Sequence, residues 1–169
     1  MSKNEMGDHE ESLEYIVNLL KEHPQVKSLF LRFNMPIEMI HKIPIEFDEL
    51  DVSAKAKKGK IILNEKLAED GHFIDDLHYI VHELVHVLQQ YTGTVNDHGD
   101  LDQYDYLDNP LEMEAFIEQI KFIEAYKDAD EATEYLEGLL DFHKLKGPQR
   151  KLKERELRGE AHVMHARNA

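Results

Sequence analysis

The sequence predicts an α+β fold: a mostly helical single domain with a small β-sheet ahead of one motif-bearing helix. Three observations carry this. Apolar residues recur at helical spacing, first at Leu13, Ile16, Val17, Leu19 and Leu20, later at Ala132, Leu136, Leu139 and Leu140. One stretch, Ile45 to Asn64, has extended patterning instead, broken by the turn signal Lys57-Lys58-Gly59-Lys60. The helical pattern then resumes through Ile80-Val81-His82-Glu83-Leu84-Val85-His86-Val87-Leu88, an H-E-x-x-H motif with apolar residues at both x positions.

A chain of 169 residues fits one domain with a genuine core. The expected boundaries are a disordered stretch over 1–8, the folded domain over 9–158 and a flexible tail over 159–169. A formal net charge of -15 excludes a broad nucleic-acid footprint, which needs a positive face. There are no cysteines, and therefore no disulfide framework, thiolate ligand or thiol nucleophile. The first residues lack the apolar core of a secretory signal, and no apolar run reaches the length of a membrane span. A cytoplasmic protein is the expectation.

Taken in order, a helix from His9 to about His23 is followed, after Pro24, by a short one through Val26, Leu29, Phe30 and Phe33. Ile45, Phe47, Leu50 and Val52 form an extended segment, and Ile61-Ile62-Leu63 a second one after the lysine-glycine turn. Together they make a hairpin or two adjacent strands. After Gly71-His72, the motif helix is expected from about Ile74 to Tyr91, with Asp75 and Asp76 near its positive end. Ile74, Leu77, Val81, Leu84, Val85 and Leu88 share one arc. His78, Tyr79, His82, Glu83, His86 and Gln89 share the opposite one, so one side anchors in the core and the other faces a cleft.

The chemistry follows from spacing. Two histidines at i and i+4 lie about 40° apart on a helix, so both imidazoles can reach one ion. Catalytic zinc takes three protein ligands and a water, and Glu83 is placed to act on that water as general base. The bland alternative is a pair of surface histidines on an amphipathic helix. With apolar pairs flanking both histidines, the segment resembles the extended signature of zincin metallopeptidases. That resemblance implies Zn²⁺ as cofactor and a peptide or protein as substrate. In zincins an edge strand before the motif helix lines the cleft and takes the peptide as an extra strand. Here that role falls to Lys60–Asn64, with a strand that merely packs on the helix as the alternative. The zincin pattern does not use His78, which is read as a supporting or surface residue.

Thr94 to Asn109 is an irregular acidic loop. Its Tyr104 and Tyr106, with His98, are candidates to steady a developing oxyanion, as zincins use a Tyr or His there. Asp97, Asp100, Asp102, Asp105 and Asp108 can be read as a Ca²⁺ site or, lacking EF-hand spacing, as a solvated loop.

Asn109-Pro110 opens a helix to about Lys127 that carries the third-ligand candidates. Glu112 and Glu114 lie about 200° apart on the wheel, so at most one faces the metal. Glu114 shares a stripe with Glu118 and Lys121 that reads as solvent-facing. Glu112 lies between two apolar groups, Phe116–Ile123 and Leu111, Ala115 and Phe122, where a carboxylate needs a partner. Glu112-Met113-Glu114-Ala115 also resembles the E-x-x-A element of gluzincin-type families, whose first Glu is a zinc ligand. The nearest small likeness is the ImmA/IrrE type, over residues 60–125. Phe116 stands where that type has Asn or Asp. Glu112 is preferred, Glu114 is the alternative, and His98 is the choice if the third ligand is a His, as in SprT-like proteases.

A further helix runs from Asp130 to Phe142-His143, where His143 is either an oxyanion donor or a satisfied helix-end histidine. Gln149 to Arg158 reads as a short exposed helix. Its Arg150, Lys151, Lys153, Arg155 and Arg158 can contact an acidic partner, the acidic loop or solvent alone. The reading is a zincin-like metallopeptidase fold. His82, His86 and Glu112 bind Zn²⁺, and Glu83 activates water for peptide hydrolysis. Two alternatives remain: a proteolytically silent metal-binding module that senses or binds a partner, and a helical interaction protein with a coincidental motif.

Overall fold

The computed structural model describes residues 3–69, 73–93 and 107–159. The expected α+β class is observed: seven α-helices and one three-stranded mixed sheet among the described residues. None of these helices is long and apolar enough to cross a membrane. The chain forms two compact units, residues 1–92 and 93–169.

In the first unit, α1 (Lys3–Glu22) begins ahead of the predicted His9. Residues 3–8 of the supposedly disordered start are therefore helical. The next helix, α2 (Pro24–Arg32), starts as its proline predicts. His23 is the N-cap, and its Nδ1 accepts a hydrogen bond from the Gln25 N–H at 3.1 Å. Asn34, at φ 55°, ends that run in the left-handed region. A 3-10 segment over Ile37–Lys42 leads to the sheet, and α1 packs on both it and α2.

The strands are β1 (Ile45–Asp48), β2 (Ala54–Lys57) and β3 (Lys60–Asn64), in the order β1-β3-β2. β3 pairs parallel with β1 and antiparallel with β2. It is the central strand, so the edge role expected of Lys60–Asn64 is overturned: both of its sides are already paired. The run Ile61-Ile62-Leu63 is buried throughout, as a strand covered on both faces should be. Between β2 and β3, Lys58 and Gly59 both have positive φ (51° and 80°), the backbone of a two-residue hairpin turn.

After α3 (Lys66–Glu69) and a 3-10 turn over Phe73–Asp76, the motif helix α4 runs Leu77–Tyr91. It therefore starts later than the predicted Ile74. α4 packs on β2, β3 and α2. The hairpin is tied to its last turn: Gly59 N–H donates to Gln90 Oε1 at 2.8 Å, and Tyr91 Oη donates to Gly59 O at 3.3 Å. A Cβ at Gly59 would meet Tyr91 Cε1 at 3.0 Å, so glycine serves the approach as well as the turn.

The second unit holds α5 (Pro110–Tyr126), α6 (Ala129–Phe142) and α7 (Gly147–Leu157). Asn109 caps α5 by accepting from Leu111 and Glu112 N–H groups, and Asp128 caps α6 by accepting from Glu131 N–H at 2.7 Å. α5 packs on both later helices around Met113, Phe116, Ile120, Ile123, Leu136, Leu140 and Leu157. α7 is not the fully exposed helix its charge suggests, because Lys153, Glu156 and Leu157 are buried.

Candidate metal centre

α4 presents its two motif histidines one turn apart, with ring centroids 5.0 Å apart and planes at 72°. Both are deeply buried, His82 at 6% and His86 at 3% exposure. The wheel predicted a core face and a cleft face, but burial runs around most of the helix, through Leu77, Ile80, Val81 and every residue from Leu84 to Gln89. Within the polar arc, His82, His86 and Gln89 are buried, while His78, Tyr79 and Glu83 are half-buried.

His86 is oriented from within its own helix. Its Nδ1 lies 2.8 Å from Gln89 Oε1, and both side chains are buried. An amide oxygen can only accept, so this contact is a hydrogen bond in the tautomer that carries its proton on Nδ1 and its lone pair on Nε2. That nitrogen is also buried. This is the tautomer that ligation through Nε2 needs.

Glu112 lies in the first turn of α5, where the Asn109 cap and Pro110 at the start fix the helix entry. At 8% exposure its carboxylate needs a partner to offset the cost of burial. The donor atoms of His82, His86 and Glu112 all lie within 4.8 Å of one another. Tetrahedral zinc with bonds near 2.1 Å spaces its ligands by about 3.4 Å, within reach of small rotamer adjustments. Two imidazole nitrogens and one carboxylate oxygen also suit zinc chemically. These three residues can hold a metal ion.

The other candidates are placed as follows. Glu114 is half-buried on α5 and outside this group, while Glu118 on the same stripe is buried rather than solvent-facing. The reason is that α5 is covered over much more than half its circumference, leaving Lys121, Glu124 and Ala125 exposed. Glu83, the proposed base, follows His82 on α4 and is half-buried. His78 is half-buried with its ring 4.2 Å from that of Tyr79. His143 closes α6, edge-on to Phe142, and partial burial pushes its pKa below the ordinary histidine value. His98, Tyr104 and Tyr106 lie outside the described residues.

Sequence reasoning placed Lys153 in an exposed basic patch, without marking it as buried. Its ammonium donates to Leu107 O at 2.9 Å, Asp108 Oδ1 at 2.9 Å and Glu156 Oε2 at 3.2 Å. One of the readings of the basic C-terminal helix, contact with the chain's own acidic loop, thus holds for Lys153 and Asp108. The available signal was the i, i+3 Lys-Glu pair beside Leu157. Gln89 was recognised only as part of the polar arc, although its i+3 spacing from His86 is legible.

No family model, curated protein or solved structure matches the chain.

Proposed function

We propose that this protein is a zinc-dependent peptide hydrolase of zincin-like type. The observation that carries the reading is the buried His82–His86–Glu112 donor group beside Glu83. His82 and His86 would supply neutral nitrogens, and Glu112 one negative charge. When bound, zinc supplies Lewis acidity, which polarises a carbonyl and makes water nucleophilic near neutral pH. Glu83 accepts a proton from that water and returns it to the leaving amine. A purely structural site has no use for a carboxylate at that position.

The decisive experiment pairs metal content with turnover. Wild type should hold near one zinc per chain by mass spectrometry, lost in Glu112→Ala and kept in Glu114→Ala. Glu83→Gln should keep the metal yet lose peptide turnover by orders of magnitude. Zinc-free wild type after reconstitution sinks the reading.

The burial of all three donors favours a second reading, a closed site in a proteolytically silent module. Its signature is zinc binding with no turnover for Glu83→Gln to remove.

A further inference from the structure

We infer that Gln89 is a positioning residue that sets the tautomer of His86 and so makes Nε2 the ligating nitrogen. This deepens the proposed metal site and rests on that reading. The bond is short, at 2.8 Å, and Gln89 is only 1% exposed, so the contact is shielded from competing water. Burying an amide next to Val87 and Leu88 is unfavourable unless the amide is used. Methionine would fill similar space without that cost.

The surroundings hold the amide in place. The next two residues, Gln90 and Tyr91, grip both backbone groups of Gly59 in the β2–β3 turn. The end of α4 is thereby fixed to the sheet, and Gln89 cannot drift from His86 by fraying. Thr92 Oγ1 adds a bond back to Leu88 O at 3.0 Å.

A neutral amide acceptor also leaves the site's net ligand charge to Glu112 alone. A neutral imidazole carries one ring proton. With it on Nδ1, the Nε2 lone pair is available; with it on Nε2, ligation there requires the proton to move. Partners of this kind typically contribute 10–100-fold to metal affinity.

The test uses the full chain with ¹⁵N-labelled histidine, metal-free, at a pH where the imidazoles are neutral. Long-range ¹H–¹⁵N spectra report which nitrogen of His86 carries the proton. Zinc Kd is then read by competition with a chromophoric chelator. Wild type should show Nδ1–H. Gln89→Met should move the proton to Nε2 and weaken zinc about 10–100-fold, with circular dichroism unchanged. Gln89→Glu, which restores an acceptor, should keep Nδ1–H and an affinity within a few-fold of wild type. Nε2–H in the metal-free wild type overturns the inference, as does a folded Gln89→Met with unaltered tautomer and Kd. If Gln89→Met does not fold, Nε2–H in Gln89→Glu overturns it. If wild type binds no zinc, the metal reading fails, while the tautomer spectra still decide whether Gln89 governs His86.

Discussion

Two buried polar clusters, each with an i, i+3 pair on a helix, solve the cost of burial in opposite ways. Around Lys153 on α7, one ammonium meets a backbone carbonyl and two carboxylates. The cation belongs to the chain and offsets the buried Glu156 carboxylate on the spot. Around His86 on α4, two imidazoles and the Glu112 carboxylate converge, and Gln89 takes up the proton-bearing nitrogen. That set is made of lone-pair donors, and the cation it suits is a metal. Buried charge alone therefore does not mark a site; the composition of the cluster does.

The contrast can be broken most forcefully at Lys153. Lys153→Met leaves Glu156 and the Leu107 carbonyl buried without their shared ammonium. A broken buried ion pair costs about 3–5 kcal/mol, a large part of a typical domain's stability. The urea midpoint should fall accordingly, and Lys153→Met with Glu156→Leu should recover much of the loss. If the single variant matches wild type, the cluster is not an integral part of the second unit.

The His82–His86–Glu112 group should respond in the complementary way. Free zinc at about one hundred times Kd should stabilise the protein by about 2.7 kcal/mol, and a chelator should remove that gain. His86→Ala should abolish the zinc increment. Lys153→Met, measured under conditions where it is folded, should keep it. Thermal melts with and without zinc on the three proteins separate the clusters. An equal increment in His86→Ala would show that zinc binds elsewhere.

How far these features could be read in advance depends on the range of the forces that make them. The motif helix, the Pro24 and Pro110 helix starts and the Lys58-Gly59 turn were legible, because each is set by contacts within a few residues. Glu112 was legible as a ligand candidate because its two flanking apolar groups showed on the wheel. The position of β3 inside the sheet depends on parallel pairing with β1, a non-local contact. The unbroken Ile61-Ile62-Leu63 run was its one local trace. Glu118 was misread for a related reason: a carboxylate looks solvent-facing until the whole circumference of α5 is known to be covered. The burial of Lys153 was not legible, because its partners Leu107 and Asp108 lie far off in sequence.

The smallest predicted effect comes from a second histidine whose bonding reverses that of His86. His23 Nδ1 accepts from the Gln25 N–H, so its proton resides on Nε2 and protonation of Nδ1 destroys the cap. Burial lowers its pKa from the ordinary 6.5, because the charged ring is less well solvated in the folded state. Between that lowered value and 6.5 the unfolded chain binds more protons. Stability contributed here is thus present above pH 6.5 and is lost as pH falls through that window. The half-buried ring limits the loss to less than the roughly 1 kcal/mol of an N-cap. His23→Asn keeps a good capping side chain but cannot titrate. Denaturation midpoints measured from pH 7.5 to 5 should therefore fall more steeply in wild type than in His23→Asn, the other histidines cancelling in the difference. Parallel curves would mean that the His23 cap does not titrate, and that its geometry, unlike that at His86, is a matter of packing alone.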